Sequence, residues 1–146
     1  MNAKTRDFVG APTTVTPERA ANLLFTEGYL NTYYQFLVPA GKPDLKTLAD
    51  RPWYVAVMAS WDKTISSNKG SAYDKWLIDN AAQHGFKYEA YPTNSDAVQA
   101  VLSGRADATL GGNTVAAYAA TRNPGKLQVT SLTVDQGLVW AAVFRK

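Results

Sequence analysis

A chain of 146 residues is long enough to bury one hydrophobic core and corresponds to a single ordinary domain. Its composition, 46% hydrophobic and 18% charged, is that of a globular protein and excludes a disordered one. The net charge of +3 is spread without a cluster of lysine and arginine, so nucleic acid is not a predicted partner. The absence of cysteine excludes a disulfide framework and a thiolate metal site, and no metal or cofactor is predicted.

The first forty residues contain short elements that do not alternate regularly. The stretch "DFVGA" is too short to be a free-standing strand, and "TPERAANLLF" predicts a short capped helix with Pro17 in its first turn. The stretch "TYYQFLVPAG" predicts a strand that ends at Pro39 and Gly41. After it, "PAGKPD" (39–44) is the one shift in composition and indicates a linker or a crossover.

From residue 43 onward, strand and helix signals alternate. The apolar run "WYVAVM" (53–58) is typical of a buried parallel strand. The stretch "ASWDKTISSNK" (59–69) is interpreted as a loop that is longer than the usual strand-to-helix turn. A helix is then predicted over 70–85, with Ser71 as its N-cap and Gly85 at its end.

The same alternation continues through the next two pairs of elements. The stretch "FKYEAY" (86–91) alternates with period two and predicts a strand, and Asn94 or Ser95 is predicted to cap the helix in "SDAVQAVLSG". The stretch "ADATLG" (106–111) predicts the next strand, and "NTVAAYAATRN" predicts a helix that is stopped by Pro124.

Two separate strands, "KLQVTS" (126–131) and "GLVWAAVF" (137–144), are predicted to close the chain. Strands and helices that alternate through short turns favour a mainly parallel, doubly wound sheet. The sequence therefore predicts an α/β fold of three layers, with helices on both faces of the sheet and residues 43–136 in its compact part.

One segment of the chain carries a family resemblance. The segment "DFVGAPTTVTPERAANLLFTEGY" (7–29) resembles, without a gap, the pattern D-h-h-h-x-x-h-T-h-T-x-E-R-x-x-x-h-x-F-[ST]-x-P-Y. That pattern is typical of bacterial solute-binding proteins of the amino-acid ABC-transporter type (family 3). The similarity continues through "LKTLAD" (45–50), "AVQAVLSGRADATLGG" (97–112) and "GLVWAAVFRK" (137–146).

The resemblance implies a two-lobed periplasmic-binding-protein fold of type II, in which two hinge strands join the lobes and ligand lies between them. This chain resembles the second lobe, both hinge strands and the last part of the first lobe. We therefore expect residues 1–38 to form a first-lobe remnant, residues 39–136 the second-lobe domain, and residues 137–146 the returning hinge strand.

Arg19 is the sharpest candidate for ligand binding. A guanidinium donates two parallel charge-assisted hydrogen bonds to a carboxylate, which a lysine cannot reproduce. In the family that the chain resembles, the matching arginine clamps the carboxylate of the ligand, helped by the threonine that matches Thr14. Read without the motif, Arg19 is a solvated residue in the first turn of a helix.

Ser71 and Trp61 are further candidates. Ser71 lies where the N-terminus of a helix directs N–H groups and its dipole toward an anion, and it is also an ordinary N-cap. Trp61, within the predicted loop, could stack on a ligand or cover the core, as most tryptophans do.

A departure from the family pattern follows "GRADA". Amino-acid binders place an aspartate there that pairs with the ammonium group of the ligand, whereas this chain has Gly112 followed by Asn113. Asn113 can accept a hydrogen bond but cannot neutralise a charge. An anionic or neutral small ligand is therefore predicted rather than a standard amino acid. Asp107 is interpreted as fixing a turn or a strand end.

The sequence leaves two other function classes open beside ligand binding without chemistry. Some proteins of this fold are dehydratases of cyclic carboxylic acids, and Glu18, Glu27, Asp62 and Asp74 are the available carboxylates. No two of them form a pair at a recognisable spacing, so no catalytic residue is assigned. The other alternative is a ligand-free interaction module formed by an isolated lobe.

The expected partners follow from the same reasoning. The resemblance implies a periplasmic location and an ABC-transporter membrane subunit. The chain shows no signal peptide, which would make it cytoplasmic if it were a complete gene product. Because residues 1–38 carry many large apolar side chains, we expect a homodimer through that segment.

Overall fold

A computed structural model of the chain describes residues 8–42 and 63–145. The predicted strand at 53–58 and the candidate Trp61 lie outside the described residues. Along the chain the elements are β1 (Phe8–Thr14), α1 (Pro17–Asn22), β2 (Leu23–Phe25), β3 (Leu30–Pro39), β4 (Thr64–Asn68), α2 (Ala72–His84), β5 (Lys87–Tyr91), α3 (Asn94–Leu102), β6 (Ala108–Gly112), α4 (Asn113–Arg122) and β7 (Leu127–Arg145).

The described residues divide into two compact units. Residues 8–33 and 135–145 form the first, called here the small unit, and residues 34–42 and 63–134 form the second, called the α/β unit. The strands β3 and β7 each contribute residues to both units. No helix in the described part of the chain is long and apolar enough to cross a membrane.

The sheet of the α/β unit has a parallel centre and an antiparallel neighbour. Strand β4 pairs in parallel with β5 on one side and with β6 on the other. Strand β3 pairs with β6 in the antiparallel direction, and β7 lies beside β3. The sheet is therefore mixed, and the predicted α/β class with flanking helices is confirmed.

Two adjacent serines of β4 show how the helices cover this sheet. Ser66 and Ser67 are both fully buried, and neighbouring strand residues point to opposite faces. The Ser66 hydroxyl donates to the carbonyl of Ala97 in α3 at 3.0 Å, whereas the Ser67 hydroxyl donates to Asp74 in α2 at 2.8 Å. Helices α2 and α3 therefore lie on opposite faces, which gives the predicted three layers.

A cluster of buried side chains lies within the core of the α/β unit. It comprises Leu37, Ala100, Val101, Ala106, Ala119 and Leu127.

The interpretation of residues 59–69 as a loop was wrong for its second half. Residues Thr64–Asn68 form β4, the strand between β5 and β6. The sequence concealed this strand because Ile65 is its one large apolar side chain, while its buried serines are satisfied by hydrogen bonds rather than by apolar contacts. Three residues separate Asn68 from the start of α2 at Ala72, so the turn between strand and helix is short.

The helix ends agree closely with the sequence. The Ser71 hydroxyl caps α2, and Gly85 ends it in the left-handed conformation at φ 72°, as predicted. The predicted cap of α3 was wrong by one residue, because Thr93, rather than Asn94 or Ser95, accepts the N–H of Asp96.

The two predicted closing strands are one strand, which is a further correction. Strand β7 runs from Leu127 to Arg145, and Gly137 takes a φ of 88° within it. Only glycine adopts that conformation at little cost. Gly137 therefore lets one strand continue through this position.

The small unit contains the short helix α1 and two strands, β1 and β2, that pair with β7 in the antiparallel direction. Strands β1 and β2 pair with opposite sides of β7, so that Phe8 and Leu24 are both register partners of Phe144. Strand β1, expected to be too short to stand alone, is stabilised by this pairing. Helix α1 begins after Thr16, whose side chain caps it, and has Pro17 at its first position as predicted.

Candidate functional site

The structure brings Arg19 and Thr14 together within the small unit. The Arg19 N–H donates to the Thr16 hydroxyl at 3.3 Å, which is the cap of α1. One guanidinium nitrogen, Nη1, donates to the carbonyl oxygen of Thr14 at 3.0 Å. Thr14 is buried and is the register partner of Trp140 in β7. The arginine side chain is therefore held against the end of β1 by the main chain.

Arg19 also borders an open depression on the small unit. Its volume is about 520 Å³, and it lies between α1 and the sheet. The polar part of its lining includes Glu18, Arg19 and Asn22, and the apolar part comprises Val9, Leu23 and Val143. A guanidinium beside apolar walls is suited to a small molecule that combines a carboxylate with an apolar part.

Ser71 acts as the N-cap of α2, and a carboxylate already occupies that helix start. The Ser71 hydroxyl accepts the N–H of Asp74 at 3.0 Å. The Asp74 carboxylate in turn accepts the N–H of Gly70 at 2.7 Å. Because this buried negative charge stands at the helix N-terminus, the dipole there is already compensated. Any role of Ser71 toward a ligand would then rest on its hydroxyl rather than on the dipole.

Gly112 and Asn113 lie at the start of the next helix of the α/β unit. Gly112 ends β6, is buried, and is the N-cap of α4 without a side-chain cap hydrogen bond. Asn113, the first residue of α4, is partly buried. Because β4 and β6 are parallel neighbours that both lead into helices, Ser71 and Gly112 follow the same edge of the sheet. Arg19 and Thr14 belong to the small unit.

The carboxylates considered for an enzyme have different surroundings. Asp74 is buried and serves the turn before α2, and Glu18 and Glu27 are exposed residues of the small unit. Asp62 lies outside the described residues. In the part of the chain that the structure describes, no group of acidic or histidine side chains could hold a metal ion.

Asp107 fixes a strand end, as the sequence indicated. Its carboxylate accepts the Lys63 ammonium at 2.8 Å and the N–H of Thr64 at 2.9 Å. Its own N–H donates to the Thr64 carbonyl at 2.8 Å. Asp107 therefore joins the start of β4 to the start of β6.

The support behind Ser71 could not be read from the sequence. The hydroxyl of Tyr88 in β5 donates to the Asp74 carboxylate that orders the turn before α2. Burial, followed by this hydrogen bond, raises the pKa of Tyr88 to about 12. Tyr88 lies in β5 and Asp74 in α2, so no local sequence motif predicts that the two side chains meet.

The chain is similar in sequence to a curated protein and in structure to solved binding proteins. No protein-family model matches the sequence. Among curated proteins, the chain is 28% identical over 131 residues to the membrane-bound lytic murein transglycosylase F of Maricaulis maris (strain MCS10). That match covers 88% of this chain and 27% of the transglycosylase.

Solved structures of binding proteins match nearly the whole chain. An ancestral arginine-binding protein bound to arginine is similar with a TM-score of 0.82 and 23% identity, over 99% of this chain and 60% of that protein. An ancestral arginine-binding protein bound to glutamine gives a TM-score of 0.81 and 26% identity, over 99% of this chain and 59% of that one. The amino acid ABC transporter substrate-binding protein AbpA from Streptococcus pneumoniae Canada MDR_19A, bound to L-arginine, gives a TM-score of 0.81 and 18% identity, over 99% of this chain and 56% of that one.

This chain thus spans about three fifths of the length of the binding proteins it matches. The resemblance predicted from the sequence is confirmed: the chain has part of the type II periplasmic-binding-protein fold found in amino-acid-type solute-binding proteins.

Proposed function

We propose that the chain binds a small polar ligand through a carboxylate or a similar anion and performs no chemistry on it. The observation that carries this proposal is the position of Arg19, held by the Thr14 carbonyl at the border of an open depression. A guanidinium fixed by the main chain loses less freedom when it binds a carboxylate, which favours affinity. The further proposed ligand contacts are Ser71, Trp61, Gly112 and Asn113.

The ligand class is proposed from the residue at position 112. The solved relatives were bound to arginine or glutamine, whose ammonium groups need a negative or strongly polar partner. Gly112 supplies no carboxylate, and Asn113 supplies only an amide. A carboxylic acid without an ammonium group is therefore the preferred ligand over a zwitterionic amino acid.

The wider setting is proposed from the resemblance. We place the chain in a periplasmic solute-binding protein that serves an ABC-type transporter, with residues 1–38, 39–136 and 137–146 as its three segments. The dehydratase alternative gains little support, because Asp74 is buried and committed to three protein donors. The transglycosylase similarity covers too little of that enzyme to carry its activity to this chain.

Isothermal titration calorimetry tests the binding proposal. The panel is L-arginine, L-glutamine, L-glutamate, succinate and the uncharged diamide of succinate. We expect a carboxylate compound to bind, its uncharged amide to fail, and Arg19→Ala to weaken binding at least about tenfold, because an ion-pair hydrogen bond is worth roughly 1.5–3 kcal/mol.

The matched control is Arg105→Ala, which removes an exposed arginine that lies over the ring of Tyr91 in the α/β unit. It should leave the affinity unchanged. Equal affinity of the wild type and Arg19→Ala for a bound anion would overturn the assignment of Arg19. Turnover of a cyclic carboxylic acid would favour the dehydratase alternative. If none of the five compounds bound, the ligand-free interaction module would be favoured.

A further inference from the structure

The depression beside α1 is polar on one side and apolar on the other. Its polar side is formed mainly by three residues of the helix, Glu18, Arg19 and Asn22. Its apolar side is formed by the sheet, where Val9 of β1 and Val143 of β7 are register partners. A molecule that occupies the depression therefore meets the charged and amide groups of the helix and the methyl groups of the sheet at the same time.

Leu23 extends the apolar side of the depression. It lines the depression, and it pairs with β7 two positions beyond Val143. Register partners point to the same face of a sheet, and so do residues two positions apart in a strand, so Leu23, Val9 and Val143 share one face. Val143 is only 3% exposed, whereas Val9 and Leu23 are partly exposed. Val9 and Leu23 therefore supply the apolar surface that a ligand can reach.

The charges on the helix side restrict what else the ligand can carry. The Arg19 guanidinium, which donates to the Thr14 carbonyl at 3.0 Å, is suited to bind one carboxylate. Glu18 is exposed and places a carboxylate of its own on the same depression. A second anionic group of the ligand would be repelled by Glu18 and would lose hydration against the apolar side. The lining therefore favours a ligand with one carboxylate and an apolar body.

We propose that the site at Arg19 selects monocarboxylic acids that carry an apolar body, and that Val9, Leu23 and Glu18 determine this specificity. The inference rests on the proposed function, because it requires the carboxylate of the ligand to bind Arg19. The apolar body lies along Val9 and Leu23, and Glu18 discriminates against dicarboxylic acids. The volume of about 520 Å³ admits a chain of several carbon atoms beside the carboxylate.

Isothermal titration calorimetry with straight-chain acids tests the inference. The series is butanoate, hexanoate and octanoate, together with octanedioate, which has the length of octanoate and a second carboxylate. Complete burial of a methylene group raises affinity roughly fourfold, and half of that free energy, expected in an open depression, gives about twofold per methylene. Octanoate should therefore bind about 16-fold more tightly than butanoate. Octanedioate should bind at least about tenfold more weakly than octanoate.

Leu23→Ser tests the apolar side of the depression. It should reduce the affinity ratio of octanoate to butanoate from about 16-fold to below about fivefold. Leu24→Ser is the matched control and should leave the ratio unchanged, because Leu24 is the next residue of β2 and is the register partner of Phe144 on the opposite face. Val9→Thr, which nearly keeps the volume of valine, is a second variant of the apolar side. Circular dichroism reports whether each variant keeps its fold.

Glu18→Gln tests the discrimination against a second carboxylate. Removal of this negative charge should bring the affinities for octanedioate and octanoate about threefold closer, and the effect should shrink at high salt. Glu27→Gln is the control, because Glu27 is an exposed glutamate of the same unit that lies outside the lining of the depression. It should leave the difference between the two acids unchanged.

The outcomes separate this inference from the proposed function. Equal affinities for butanoate and octanoate, or for octanoate and octanedioate, would overturn the inference alone if Arg19→Ala still weakened binding. Binding of succinate without binding of any monocarboxylate would do the same. An unchanged ratio of octanoate to butanoate in both folded variants, Leu23→Ser and Val9→Thr, would also overturn the inference. If no carboxylate bound, the proposed function would fall together with it.

Discussion

The carboxylate of Asp74 in α2 accepts the hydroxyl of Tyr88 in β5, and so joins a helix to a strand of the underlying sheet. The same carboxylate accepts the Ser67 hydroxyl at 2.8 Å and the Gly70 N–H at 2.7 Å. Asp74 is only 5% exposed, so its charge has lost most of its hydration. Three donors replace that water, which explains why a carboxylate is tolerated here. The arrangement fixes the end of β4, the turn and the start of α2 together.

We expect Asp74→Asn to lower the free energy of unfolding by about 2–4 kcal/mol. The amide nitrogen of asparagine is a donor, so at least one of the three protein donors would lose its acceptor in a buried site. Urea denaturation measures the change. Asp79→Asn is the control, since Asp79 is exposed and accepts a hydrogen bond from Lys75 at 2.9 Å, and it should cost no more than about 0.5 kcal/mol. Equal losses in the two variants would contradict this account.

Alkaline pH should reveal the environment of Tyr88. Burial and the hydrogen bond to Asp74 raise its pKa from 10.0 to about 12. The folded protein therefore keeps the Tyr88 proton at a pH where the unfolded chain loses it, and the associated stability is full below pH 10 and declines toward pH 12. Absorbance at 295 nm, compared between the wild type and Tyr88→Phe, should show one tyrosine that ionises near pH 12. A difference curve centred at pH 10 would contradict the expectation.

Gly28 is predicted to be intolerant of any side chain. A Cβ at this position would lie 2.7 Å from the Cβ of Val139, which is closer than carbon atoms approach in folded proteins. The backbone cannot easily move away, because the next N–H, of Tyr29, donates to the Trp140 carbonyl at 2.9 Å. We expect Gly28→Ala to lower the free energy of unfolding by roughly 1–3 kcal/mol, as overpacking does.

Gly111→Ala is the matched control for that substitution. The added Cβ would have Val115 at 4.0 Å as its nearest neighbour, which is ordinary van der Waals contact. Urea denaturation should therefore show a smaller loss for Gly111→Ala than for Gly28→Ala. The reverse order would show that backbone freedom rather than the close approach decides the effect at Gly28.

Local signals explain which parts of the fold the sequence could predict. The ends of α2 were predictable because Ser71 and Gly85 act on the N–H and carbonyl groups of their own helix. Strand β4 was not, because its burial depends on hydrogen bonds from Ser66 and Ser67 to helices that follow later in the chain. A buried serine resembles a loop residue until its partner is known.

The same distinction applies to the candidate site. The contact between Arg19 and Thr14 joins residues five positions apart, and the gapless motif around them singled out both residues, although as ligand contacts rather than as partners of each other. The pair of Asp74 and Tyr88 joins a helix to a strand, and it can be recognised only after the sheet has been assembled. The Arg19→Ala substitution tests whether Arg19 binds a ligand.

Gly137 should be required for the continuity of β7. Its φ of 88° lies in the left-handed region, and nothing lies within 4 Å of an added Cβ, so a substitution acts through the backbone alone. We expect Gly137→Ala to lower the free energy of unfolding by about 1–2 kcal/mol, Gly137→Asn to cost less because asparagine tolerates this region, and Gly137→Val to cost most. Urea denaturation of the three variants gives the order. If alanine matched glycine, the left-handed conformation would not be what the native strand needs, and β7 would pass position 137 as ordinary extended backbone.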